Sequence, residues 1–87
     1  MQKPSVGRVV HVLVDPAANN GSDIAPAVIT RVWRDDYINA RILHDGPVVG
    51  APQANRQEWV TSIGLHEDED AARATGLVHA AFWPPRV

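Results

Sequence analysis

Arg31, Trp33, Arg34, Tyr37, Asn39 and Arg41 are the densest mixture of guanidinium, aromatic and amide groups in the chain. A guanidinium presents a flat fork of donors that matches phosphate or carboxylate. An indole or phenol ring presents a face on which a base or another planar ring stacks. Side chains alternate along a strand, so Arg31 and Trp33 share one face, as do Tyr37, Asn39 and Arg41, and a hairpin brings the two sets together. The competing reading makes Trp33 a core residue and the arginines solvated guards of a sheet edge. A second group, Gln53, Asn55 and Arg56, precedes Trp59 in a stretch rich in turn formers, where amides and a guanidinium can read a small polar ligand or simply keep a loop soluble. With Arg8 near the N-terminus, the candidate ligand-binding set is Arg8, Arg31, Trp33, Tyr37, Arg41, Gln53, Asn55, Arg56 and Trp59.

The remaining reactive types form no catalytic or metal pattern. His11, His44, His66 and His79 stand far apart in sequence, without close ligand spacing. His66 and the four acids after it lack the alternating ligands and bend glycine of a calcium loop, and read as a solvated helix start. Ser5, Ser22 and Ser62 have no nucleophile context, and Gly21-Ser22-Asp23 lacks the strand-turn-helix setting of a hydrolase elbow. Glu58 beside Trp59 is a carboxylate of the sort most small domains carry. The chain has no cysteine, which removes disulfides, thiolate nucleophiles and zinc-thiolate sites together. The expectation is a protein that is not an enzyme and uses no metal or cofactor.

The elements that must position the candidate site are strands. Val6–Val14 is valine-rich with two largely apolar faces, as in a strand covered on both sides. Asp15–Asp23 collects Pro, Asn, Gly, Ser and Asp into a long loop. Ala25–Trp33 and Tyr37–His44 alternate around the tight connection Asp35-Asp36, the best hairpin in the chain. Asp45–Gln57, with two Gly and two Pro, reads as a second long loop, and Glu58–Leu65 as a short strand. Glu67–Gly76 has acids first, alanines in the middle and a terminal glycine, the order that suits a helix of about two turns. Leu77–Trp83 reads as a last strand that Pro84 and Pro85 stop. Phe82 and Trp83 then act as a structural latch, supplying bulk that a core of Val and Ala lacks.

Five short strands and one helix predict a single all-β domain over residues 1–87: a small SH3-like antiparallel barrel, with an OB-like barrel or an open sheet as alternatives. At 87 residues the core is near the lower limit for independent stability, so self-association would help. Net charge is −2. Residues 1–64 carry six basic and six acidic side chains, and the deficit sits in Glu67–Asp70. A nucleic-acid partner is therefore disfavoured. No apolar run is long enough to span a bilayer and no secretory signal opens the chain, so no membrane partner and a cytosolic site are expected.

Three stretches carry a resemblance. Lys3–Val14 (KPSVGRVVHVLV), Ala27–Val32 (AVITRV) and Phe82–Val87 (FWPPRV) resemble a group of short bacteriophage and prophage proteins, especially of actinobacteria. These commonly open with Pro-Ser-x-Gly-Arg-x-Val-His and close with Trp-x-Trp-Pro-x-Arg-Val. Ala81 stands in the first Trp position of that closing phrase and Phe82 where His is usual. The resemblance implies a phage origin and a place in the host cytosol, where small phage proteins serve as virion parts, regulators or blunters of defence. Some of the last are homo-oligomers that sequester nucleotide immune signals between subunits. The leading expectation is such a homo-oligomer binding a nucleotide-like small molecule. The alternative is a protein-interaction module, either a virion accessory part or an inhibitor of a host protein.

Overall fold

The computed structural model describes the backbone of residues 2–48 and 51–85 and the side chains of residues 2–45 and 58–85. Five strands, β1 (Val9–Leu13), β2 (Ile24–Arg34), β3 (Tyr37–Val48), β4 (Ala51–His66) and β5 (Ala81–Phe82), form a closed barrel in which each strand pairs with its successor and β5 returns to β1. The order is a meander rather than a Greek key, which removes the OB-like alternative; closure removes the open sheet. The β1–β2, β2–β3, β3–β4 and β1–β5 pairs are antiparallel and β4–β5 is parallel.

The barrel interior holds Val10, Val12, Val14, Ala25, Ala27, Ile29, Ile38, Ala40, Ile42, Ile63, Leu65, Ala81 and Trp83. These are alternate positions of every strand, the period of two that places one set of side chains inside. Alanines at Ala25, Ala27, Ala40 and Ala81 let the sheet curl tightly; Trp83, only 4% exposed, fills the space they leave. Phe82 points the other way, into an outer cluster with Ala72 and Ala80 against Leu13 and Ile24. Phe82 at the end of β5 and Trp83 just after it thus serve two cores, and the C-terminal latch is present.

That outer cluster seats helix α1 (Glu69–Ala74). Six residues are too few to be helical alone. Asp68 caps the N-terminus by accepting from the Ala71 N–H at 2.9 Å, and Ala72 buries against Phe82. Arg73 donates to Glu69 one turn back and to Asp23 across the chain, each at 2.8 Å. Gly76, at φ +69°, ends the segment in the left-handed region that glycine tolerates.

One expectation gains detail and two change. The Asp15–Asp23 loop is compact: a 3-10 turn at Pro16–Ala18 brings in Asn19, which is buried, donates to the Ser22 and Ile24 carbonyls and accepts from the Asp45 N–H. One amide thereby fastens the loop to β3. The stretch expected as a second loop instead extends the β3–β4 hairpin, pairing Leu43 with Gln57, Pro47 with Asn55 and Val48 with Ala51. Register shifts on either side of Pro47 accommodate a residue that cannot donate to a ladder. The last strand is shorter than Leu77–Trp83. His79 takes φ +67°, and Leu77 and Val78 remain exposed.

Two outcomes follow from this packing. Trp83→Ala lowers the unfolding free energy by about 3–5 kcal/mol in urea melts, the usual cost of emptying an aromatic site. The Arg73 guanidinium holds the Asp23 carboxyl below its ordinary value. The tether is therefore at full strength above about pH 4 and is lost as pH falls through the depressed midpoint. A carbon-detected NMR titration should place the Asp23 midpoint below about 3.9 in the native protein and return it to that value in Arg73→Ala.

Candidate ligand-binding face

With Ala27 and Ile29 of β2, Ile38, Ala40 and Ile42 of β3, and Ile63 of β4 inside, the intervening residues point outward as rows across the three strands. Val28, Arg41 and Trp59 form one row, because Val28 pairs with Arg41 and Arg41 with Trp59. Arg31 and Asn39 form the next. Arg34, Tyr37 and Gly64 form the third. Each row holds one arginine, and rows along a strand are about 7 Å apart.

Each aromatic of the face has a guanidinium as neighbour. Arg31 Cζ lies 4.2 Å from the centroid of the Trp33 ring, and Arg34 Cζ lies 5.1 Å from that of Tyr37. Arg41 is the cross-strand partner of Trp59. Trp33 and Trp59 are each 51% exposed, so neither is a core residue and each retains ring surface for a ligand. Arg34 is engaged by Asp36 at 2.9 Å. Among the described residues Arg31 and Arg41 have no carboxylate partner, which leaves two guanidinium groups for an anion.

Asn39 sets this geometry. It is buried although it belongs to the outward rows, and its Oδ1 accepts from Trp33 Nε1 at 2.9 Å, Thr61 Oγ1 at 2.9 Å and the Ser62 N–H at 2.8 Å. The β3–β4 register shifts here, between Ile38–Ile63 and Ala40–Val60, and Ser62 adopts φ +61°. Such a bulge leaves an amide without a ladder partner. Asn39 supplies the missing acceptor, and the same oxygen fixes the orientation of the Trp33 indole.

Arg31, Trp33, Tyr37, Arg41 and Trp59 therefore lie together on the outer surface of β2, β3 and β4. Arg8 does not join them. It turns over the end of the barrel, with Cζ 5.1 Å from the Trp83 ring centroid and Nη2 donating to Gln2 at 2.7 Å. Gln53, Asn55 and Arg56 lie outside the residues whose side chains are described. Arg34 and Asn39 belong to the face although they were not in the candidate set. Arg34 was legible as the arginine beside the hairpin turn; the role of Asn39 depends on a bulge that strand alternation does not announce.

Two other polar groupings lie apart from the face. Glu58 Oε1 is 3.9 Å from both His44 Nε2 and His79 Nε2. These contacts are too long for hydrogen bonds. Among the described residues no group of three His, Cys, Asp or Glu side chains is placed to hold a metal ion. The second grouping is the acidic segment beside Trp83, at a separate groove.

Asn39→Ala should orphan the Ser62 amide and release Trp33, costing about 2–3 kcal/mol in denaturant melts, whereas Asn39→Asp, which keeps the acceptor, should retain more of that stability. The Trp33 indole N–H resonance should shift in Asn39→Ala and report the same loss. Set beside protein-family models, curated proteins and solved structures, the chain matches none.

Proposed function

We propose that this chain is a non-enzymatic binding protein that holds a nucleotide-like small molecule on the outer face of β2, β3 and β4, and does so as a homo-oligomer. The observation that carries the reading is the pairing of half-exposed Trp33 and Trp59 with Arg31 and Arg41, whose guanidinium groups have no carboxylate partner among the described residues. In this reading the indoles stack on a base or nicotinamide-type ring, Arg31 and Arg41 pair phosphate oxygens, and Tyr37 borders the site.

A magnitude argues for assembly. Stacking on one exposed aromatic contributes about 1–3 kcal/mol per base, and a millimolar complex already needs about 4 kcal/mol. One open face falls short of useful affinity for a single nucleotide. Two faces brought together enclose the ring from both sides and exclude water, which strengthens the phosphate contacts. The resemblance of the chain's ends to those of small phage proteins fits the same reading, a sponge for host immune signals in the host cytosol. A protein-interaction role is the second reading. It is favoured by Leu77 and Val78, 66% and 67% exposed, at the rim of a cavity they share with Val60, Ile63 and Ala80.

Light scattering should give a mass above that of one chain. Adenosine monophosphate, a cyclic dinucleotide and nicotinamide adenine dinucleotide are the probes for thermal melting. The correct class, at a hundredfold excess over its Kd, raises the midpoint by roughly 10–20 °C. Arg41→Ala and Trp59→Ala, both surface changes, should fold normally and bind at least tenfold more weakly. A monomer whose melting none of the three probes moves would sink the proposal.

A further inference from the structure

Asn39 carries one group that neither the bulge nor the Trp33 indole uses. Its Oδ1 accepts from two N–H donors, Trp33 Nε1 at 2.9 Å and the Ser62 amide at 2.8 Å, and from Thr61 Oγ1 at 2.9 Å. An N–H has only a proton to offer, so these bonds fix which end of the carboxamide is oxygen, and the other end is an NH2 group with two hydrogens to give. Among the described residues nothing accepts from that Nδ2. The atom is not sealed off, because Trp83 Nε1 is the one fully buried side-chain donor or acceptor without a partner among the described residues. The 6% of Asn39 that stays exposed therefore includes its amine, and the row to which Asn39 belongs faces outward. A donor so withdrawn meets little water and is best satisfied by an acceptor brought to it.

The neighbours of this amine are cations. Arg31 is the cross-strand partner of Asn39, and Arg41 lies two residues along β3 in the adjoining row, about 7 Å away. The Arg31 guanidinium rests on the Trp33 ring at 4.2 Å, and that ring is itself bonded to Asn39. Neither arginine has a carboxylate partner among the described residues, and Asp36 of the hairpin turn is engaged by Arg34. Two positive charges and a neutral amine, all donors, thus border one another at the centre of the face.

We propose that Arg31, Asn39 and Arg41 seat a terminal phosphate, so that the ligand of this face is a nucleotide bearing a phosphate monoester. The inference rests on the reading of the face as a nucleotide site and names the group it holds. A phosphate monoester carries about −1.5 to −2 at pH 7 and presents three acceptor oxygens. Two guanidinium groups match that charge, and the Asn39 amine supplies a donor for the third oxygen. A phosphodiester, cyclic or linear, offers one negative charge and two free oxygens per phosphorus, which leaves part of this donor set unused. Asn39 is then a binding residue with two ends: its oxygen holds the sheet and the indole, and its nitrogen reads the phosphate.

The test is an NMR titration of the full-length protein, labelled with ¹⁵N, with adenosine monophosphate, cyclic adenosine monophosphate and cyclic diadenylate in about 0.1 M salt, where long-range charge is largely screened. The Asn39 NH2 signals are assigned by their absence from Asn39→Asp. Adenosine monophosphate should shift them saturably and bind at least tenfold more tightly than either cyclic nucleotide. Asn39→Asp keeps the oxygen that holds Ser62 and Trp33, so its Trp33 indole signal should stay near the native position while adenosine monophosphate binds at least tenfold more weakly. Unmoved Asn39 NH2 signals, a monophosphate that binds no more tightly than the cyclic nucleotides, or undiminished binding by Asn39→Asp would each overturn the inference. A face that binds none of the three, nor nicotinamide adenine dinucleotide, would overturn the reading of the site as well.

Discussion

Closure of the barrel rests on two residues. β5 consists of Ala81 and Phe82, and it alone joins β1 to β4, through His11 and Val12 on one side and Leu65 and His66 on the other. So short a ladder supplies few hydrogen bonds, and the side chains around it carry the burden. Ala81 and Trp83 turn inward onto the valine-rich core, while Phe82 turns outward beneath α1, with its ring edge-on to His11 at 5.5 Å. The alternation that makes a strand two-faced thus locks the inside and the outside of the barrel at one point.

From that closure the outer face of β2, β3 and β4 acquires its form. A sheet curled around small residues presents its convex side to solvent, and that side carries Arg31, Arg34, Arg41, Trp33, Trp59 and Tyr37. Asn39 is the exception that makes the rest precise in orientation, a polar side chain withdrawn from water to hold a bulge and an indole with one oxygen. The acids that give the chain its negative balance lie elsewhere, around the groove at Trp83. Net charge therefore describes neither surface: one is cationic and aromatic, the other anionic.

Much of this was legible from residue order. Val-rich and alternating runs marked β1, β2 and β3 as strands without fixing which face turns inward, Asp35-Asp36 marked the tight turn, and the order of acids, alanines and glycine marked α1. The grouping of Arg31, Trp33, Tyr37 and Arg41 followed from the same period of two, because a hairpin leaves little freedom in which faces meet. What was not legible arose where tertiary contacts override local signals. Asp45–Gln57 looks like a loop because Gly and Pro are read as breakers, yet strand pairing continues through its backbone with register shifts. Leu77 and Val78 look like strand, yet His79 turns the chain before β5. Arg8 looked like a site residue, and the recruit for its guanidinium was a tryptophan seventy-five positions away.

The Thr61–Ser62 bulge also bears on how copies of this protein can meet. Between Glu58 and Gly64, β4 has no second ladder partner among the described residues, and a flat free edge of that length is a template for endless sheet growth. A kinked strand with a left-handed Ser62, its amide turned back to Asn39, offers an interrupted register to any incoming strand. Edge-to-edge polymerisation through this strand is thereby disfavoured.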